Sequence, residues 1–206
     1  MQIEFLVEER SAEAALRNLL PKMLRAGHVF NVRVFDGKTD LLSKLPSRLR
    51  GYRGWLPRDS CIVVLVDEDR EDCRELKDRL ENDAAQAKLL TKTAAHGRRR
   101  FQVVNRLAVE ELEAWFFGDV QALARAYPRV PRTLGQKAKY RNPDAIAGGT
   151  WEALERVLKN AGYYSAGLPK IEAARNISTY MDPLRNSSTS FRVFKEGLDA
   201  LVSQSA

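Results

Sequence analysis

CIVVLVDEDRED, residues 61–72, joins an uninterrupted apolar run to a cluster of like charge. Its first six residues are apolar and five of its last six are carboxylates. A continuous apolar run of this length is the pattern of a strand covered on both faces, as in a parallel sheet with helices on each side. The chain beyond it, REDCRELKDRLENDAAQAKLL, places Leu76, Leu80 and Ala84 on one face of a long charged helix. The fold should therefore be α/β, and its central strand should end abruptly in acid.

The rest of the chain extends the alternation. IEFLV (residues 3–7) reads as a strand, and SAEAALRNLLPKMLRAG as a helix from an Ser11 N-cap to a Gly27 C-cap, with Pro21 kinking it. HVFNVRVFD alternates as a strand of mixed exposure, and residues 39–58 read as a short helix and a basic loop. FQVVNRLAV gives a further strand and EELEAWFFGDVQALARAY a further helix. The order βαβαβαβα predicts a mostly parallel central sheet flanked by helices. After residue 127 the composition changes. Residues 128–150 form a proline-containing basic loop or arm, and 151–206 hold three helices, a C-terminal helical extension on the domain formed by 1–127.

Composition narrows the function. The chain has 206 residues, a net charge of +7 and a pI near 9.5, which favours an acidic partner, nucleic acid foremost. The two cysteines, Cys61 and Cys73, have no CxxC spacing and no nearby histidine, against a zinc site or a disulfide framework. No run approaches the roughly 20 apolar residues of a membrane span. The N-terminus carries acids where a secretory signal is basic and then apolar, so a cytoplasmic location is expected.

In an open parallel sheet, ligands sit beyond the carboxyl ends of the strands. Two strands end in acid there: the first in Glu8 and Glu9, the central one in Asp67, Glu68 and Asp69. Two unit charges about 4 Å apart repel by roughly 4 kcal/mol at an effective dielectric of 20. Either a carboxyl titrates upward or a cation enters, and an all-oxygen set suits a hard divalent ion such as Mg²⁺, with Mn²⁺ able to substitute. Asp69 could instead cap the following helix, with Glu71 and Asp72 in its first turn. Glu113 follows a further strand, beside Trp115 and Phe116 of the core. It is either an additional metal ligand or supporting acid, or an ordinary surface glutamate.

At FLVEERSAEAAL and VVLVDEDRED the chain resembles Toprim domains, in which one strand ends in a glutamate and a later one in DxD. That family includes topoisomerases, primases, recombination proteins and the overcoming-lysogenization-defect nucleases. The resemblance implies Glu8 as general acid/base and Asp67 and Asp69 as metal-holding residues. Glu9 stands where the family has glycine, so Glu8 or Glu9 can face the ion. Through VEELEAWFFGD, LPKIEAARNI and STSFRVFKEGL the whole chain looks like a small bacterial family of Toprim-like architecture, without a settled activity. Its members accompany an ATPase in defence-like gene pairs, which implies such a partner here and a role in phage defence.

A phosphodiester site needs cations for the polyanion. Three candidates present themselves: GRRRF at 97–101, RLRGYRGWLPR at 48–58 with Arg53, and the arm with Lys139 and Arg141 followed by Lys170. The third is the one free to fold over the acids. Lys170, at a helix start, opposes the helix dipole, which hints at another role. Strand passage and primer synthesis need modules for which this chain has no room. The reading is a Mg²⁺-dependent nuclease acting on DNA or RNA, with self-association into a homodimer left open. The alternative is a non-catalytic subunit whose acidic rim docks an ATPase or senses a nucleotide. A Rossmann-type nucleotide binder is disfavoured, since neither GxGxxG nor GxxxxGK[ST] occurs.

Overall fold

Four strands make one all-parallel sheet in the order β2-β1-β3-β4: β1 (Gln2–Val7), β2 (Val29–Val34), β3 (Cys61–Asp67) and β4 (Val103–Ala108). The computed structural model describes every residue except Arg58, Arg70, Arg98, Arg99, Ser205 and Ala206. The apolar run that predicted a doubly covered strand is β3, whose residues Cys61–Val66 are all buried. It sits inside the sheet between β1 and β4.

The period of two along each strand sorts the helices. Ile3, Phe5, Val7, Cys61, Val63 and Leu65 face one cluster, formed with α1 (Arg10–Met23) and the helices that follow β4. Leu6, Ile62, Val64 and Val66 face the other, formed with α2 (Lys38–Trp55) and α3 (Cys73–Gln86). The helices after β4 are α4 (Glu113–Gly118), α5 (Val120–Ala126), α6 (Thr150–Asn160), α7 (Lys170–Tyr180) and α8 (Thr189–Ser203). α7 packs on α1 and α5, and α8 on β4. The seam of α7 with α1 is also polar: Lys22 of α1 donates to the carbonyls of Ser178, Thr179 and Met181 at 2.8–2.9 Å. There it neutralises the negative end of the α7 dipole.

Several elements differ from their sequence reading. Residues 38–55 form one helix rather than a short helix and a loop, because Leu41, Leu42, Leu45, Leu49 and Tyr52 share a buried face through Pro46. The helix read from Glu110 to Tyr127 is two, broken at Asp119, whose side chain caps the second by accepting the Ala122 N–H at 3.1 Å. Asp72, not Asp69, caps α3, accepting the Arg74 and Glu75 N–H groups at 2.7 and 3.1 Å. Helix α1 has Glu9 rather than Ser11 at its N-cap, and Leu24 rather than Gly27 at its C-cap. Pro169 stands at the N-cap of α7. The segment read as an arm winds through three short 3-10 turns, Leu134–Gln136, Ala138–Tyr140 and Pro143–Ala145, anchored by buried Leu134, Pro143 and Ile146. Among the described residues, no helix is long and apolar enough to cross a membrane.

Candidate functional site

The chain turns one way from β1 to β2 and the other way from β3 to β4, with α1 and α3 on opposite faces of the sheet. The crevice between the carboxyl ends of β1 and β3 is therefore the switch point where open α/β sheets bind ligands. Pairing of Val7 with Leu65 places Glu8 and Asp67 at that crevice, and pairing of Asp67 with Ala108 brings the end of β4 alongside. The acids of all three strands thus share one rim.

Glu8 is buried, and its Oε1 accepts the backbone N–H of Asp67, so the first acidic motif is bonded directly to the second. Glu9 turns back to the Ser11 hydroxyl at the start of α1. Burial pushes the Glu8 carboxyl up to about 7, opposed by the Asp67 N–H and reinforced by the charge of Asp69. Asp67 is held well above the usual carboxylate range, by burial first and then by Glu8, Glu113, Asp69 and Glu9. Asp69 is different. It is exposed, adopts a left-handed φ of 52°, and its N–H bonds the Glu110 carbonyl at 2.9 Å.

Glu113 opens α4 and is 1% exposed. Its Oε2 has no hydrogen-bond partner, and burial raises the carboxyl to about 7, with Lys170 opposing and Glu9 and Glu111 adding to the rise. Glu110 does not precede it within the helix but lies in a left-handed turn, φ 61°, its N–H on Glu68 Oε2 at 2.9 Å. The two glutamates therefore do not share a helical face.

These carboxylates crowd one rim, where burial raises the pKa values of Glu8, Asp67 and Glu113. The unpartnered, buried oxygen of Glu113 and the hard, all-oxygen donor set fit a divalent ion of the Mg²⁺ type. Among the described residues, no three His, Cys, Asp or Glu side chains are set to ligate one ion as they stand. Mg²⁺ is nevertheless commonly held by one or two protein carboxylates, with water and phosphate completing its shell.

A protein-family model, Domain of unknown function (DUF4276), matches residues 7–199. The chain belongs to that family. A search of curated proteins finds no match. Among solved structures, this DUF4276 chain is similar to the C-terminal region of the Xanthomonas campestris pv. campestris OLD protein. The identity is 14% and the TM-score 0.48, with 98% of this chain and 97% of that one covered. That likeness is too remote to carry chemistry from one chain to the other.

The basic residues of the DUF4276 chain divide by position. Lys170, the first residue of α7, reaches the acidic rim, with Nζ 5.0 Å over the Trp151 ring. Burial would lower its pKa, but Glu113, Glu9, Glu111 and Asp67 outweigh that and raise it. Lys139 and Arg141 are exposed on the turns beside α4. Lys139 lies 5.5 Å over Tyr140, itself stacked on Phe117 at 5.2 Å, and Arg141 reaches the Gln136 carbonyl at 3.4 Å. Both contacts are local to these turns, and neither ties Lys139 or Arg141 to a carboxylate of the rim. Arg53 is not brought to the site: it lies near the far end of α2, lining a cavity with Ser60 and Ile62 at the opposite rim. Fifteen residues of helix from Lys38 put it roughly 22 Å away along the axis. Arg58, Arg98 and Arg99 of the other two basic stretches lie outside the described residues.

Two residues at the rim escaped the sequence reading. Lys38, the first residue of α2, donates to the Glu68 carbonyl at 2.7 Å and pairs with Glu71 at 2.9 Å and Asp69 at 3.6 Å. Its signal is the one that singled out Lys170, a cation at the wrong end of a helix dipole. Glu111 accepts the Thr150 N–H and hydroxyl and the Trp151 N–H at 2.9–3.0 Å, so a rim acid caps α6. That pairing depends on chain folded from 39 residues away, and no local pattern announces it.

Proposed function

We propose that the chain is a Toprim-like, divalent-cation-dependent nuclease that hydrolyses phosphodiester bonds of DNA or RNA. The reading rests above all on Glu113: a carboxyl almost wholly removed from water, with an unpartnered oxygen, on the same rim as Glu8 and Asp67. A buried carboxyl of that kind is costly unless a proton or a cation joins it. Asp67, Glu113 and Glu8 would hold Mg²⁺ or Mn²⁺, which supplies positive charge to a phosphate as negative charge develops on it.

The chain's own residues account for the rest. Glu8, bonded to the Asp67 N–H at the crevice, would either help to hold the ion or handle a proton as a general acid or base. Lys170 presents a fixed ammonium to the polyanion, and Lys139 and Arg141 extend the positive field along one side. In this reading an ATPase partner governs access to the substrate.

A second reading, a non-catalytic subunit that docks on its partner through the acidic rim, is favoured by a single observation. The described carboxylates do not converge into a ready-made ligand set.

Calorimetric titration of Mn²⁺ into the full chain and into Asp67→Asn with Glu113→Gln separates the two, followed by incubation with end-labelled DNA and RNA. Binding lost in the variant, together with Mn²⁺-dependent cleavage by the wild type, is the expected result. Equal binding by both proteins, or none by either, removes the nuclease reading.

A further inference from the structure

The rim has two halves with different contents. In the inner half, the Asp67 carboxyl feels the charges of both Glu8 and Glu113, and the Oε2 of Glu113 has no partner. In the outer half, the loop after β3 offers the Glu68 carbonyl and the Glu71 and Asp69 carboxylates, and all three surround one ammonium, that of Lys38. The Lys38 side chain is only 11% exposed. An ammonium has three N–H bonds to give and no acceptor. Here it meets three oxygens at 2.7, 2.9 and 3.6 Å.

The position of Lys38 is fixed at the backbone. Gly37, with a φ of 90°, donates its N–H to the Glu8 carbonyl at 2.9 Å, and the next residue carries the ammonium to the far side of the rim. A positive φ of that size suits glycine and lets the chain turn sharply into α2. The dipeptide Gly37–Lys38 therefore ties the Glu8 end of β1 to the loop after β3.

Phosphodiester-cleaving centres with two metal ions keep them about 3.5–4 Å apart, one on each side of the reacting phosphate. In this chain the outer oxygens are already taken by a cation that belongs to the protein. We propose that the centre takes a single divalent cation, among Glu8, Asp67 and Glu113, and that the Lys38 ammonium stands where a second ion would bind. The inference rests on the reading of the inner carboxylates as a cation site given above. It makes Lys38 a positioning residue for the loop and a fixed positive charge beside the substrate. It also separates Asp69, paired to Lys38, from the residues that hold the ion.

The test counts Mn²⁺ on the full-length chain after stripping with EDTA, by calorimetry and by electron paramagnetic resonance at saturating Mn²⁺. The wild type should bind one Mn²⁺ per chain with an uncoupled spectrum. Lys38→Ser should bind two, with a spin-coupled pair, and Lys38→Arg should return to one. Two ions in the wild type, or a single unaltered site in Lys38→Ser, would overturn the proposal while leaving the nuclease reading intact. A wild type that binds no Mn²⁺ removes the parent reading itself. Should Lys38→Ser fail to fold, the spectrum of the wild type and the stoichiometry of Lys38→Arg still decide, because a coupled pair in either contradicts a lysine in place of the second ion.

Discussion

Asp119 and Arg185 are 66 residues apart in the chain and meet through two parallel bonds, at 2.9 and 2.8 Å. The carboxylate has no exposed side-chain surface. It also caps α5 and accepts the Asp182 N–H at 2.9 Å, so the break after α4 and the approach to α8 depend on one charge. Removing one partner of such a pair strands the other in the interior, at a cost of about 3 kcal/mol or more. Arg185→Ala should lower unfolding stability in urea by about that much, and Asp119→Ala by more, since it also deletes the cap. A loss under about 0.5 kcal/mol for Arg185→Ala would show that water replaces the guanidinium without penalty.

The pH dependence of the metal-free chain follows from Glu8 and Glu113. Both carboxyls rise from 4.5 in the unfolded chain to about 7 in the fold, so the folded state binds protons more tightly than the unfolded one. Their contribution to stability is complete below pH 4.5 and is lost as pH rises through about 7. Melting in EDTA should therefore weaken between pH 5 and pH 8. Mn²⁺ should restore more stability at pH 8 than at pH 5.5, where it competes with protons for the same oxygens. A melting temperature in EDTA that climbs steadily across this window would contradict the assignment.

Neutralising Asp67 should stabilise the metal-free protein. Its charge is opposed by burial and by four other carboxylates. Asp67→Asn should be more stable than the wild type at pH 8 and should lose the protection that Mn²⁺ confers on the wild type. Chemical denaturation with and without Mn²⁺ reads both effects. A destabilised variant would mean that Asp67 is a structural acceptor rather than a strained ligand.

Gly118 permits a close approach. A methyl group there would come within 2.1 Å of Asn186 Oδ1 and 2.9 Å of the Ser188 nitrogen. Asn186 cannot swing away freely, because its amide donates to the Trp115 carbonyl at 2.8 Å and its Oδ1 accepts the Ser188 N–H at 2.9 Å. Gly118→Ala should cost about 2 kcal/mol of stability, within the range for overfilled cores. Thermal unfolding of the variant checks it.

Arg53 and Lys170 make a matched comparison. Lys170→Ser should weaken binding of a labelled oligonucleotide in EDTA, and its affinity should depend less steeply on salt, by about one unit of slope. Arg53→Ser, at the opposite rim, should leave both affinity and stability unchanged within about 0.5 kcal/mol. Equal losses in the two variants would mean that the nucleic acid does not lie along the acidic rim.

The parallel α/β architecture was legible because β3 is apolar at every position and α3 keeps Leu76, Leu80 and Ala84 on one face. The rim was legible for the same reason: strand ends are visible in sequence, and the acids stand at those ends. What escaped was set by contacts between distant segments. Asp119 breaks a helix that local periodicity runs straight through, because Arg185 and the Asp182 N–H hold it there. Residues 38–55 read as partly loop because they are rich in basic and turn-forming types, yet Tyr52 is buried and its hydroxyl donates to Glu4. Lys38 takes its role only from the loop after β3, which folds around its ammonium.

The seam between α7 and α1 has a further consequence for how the chain can be divided. Lys170 enters the rim from α7, and α7 is held in place by α1 and α5 rather than by its sequence neighbours. Glu111 likewise grips the start of α6 from the end of β4. A fragment ending at residue 127 would keep Glu8, Asp67 and Glu113 but lose Lys170, the cation that opposes the rise of Glu113, and it would bare the face of α1 that carries Leu16 and Leu19. The smallest unit able to house this centre is therefore close to the entire chain, and neither part can be transplanted without the other.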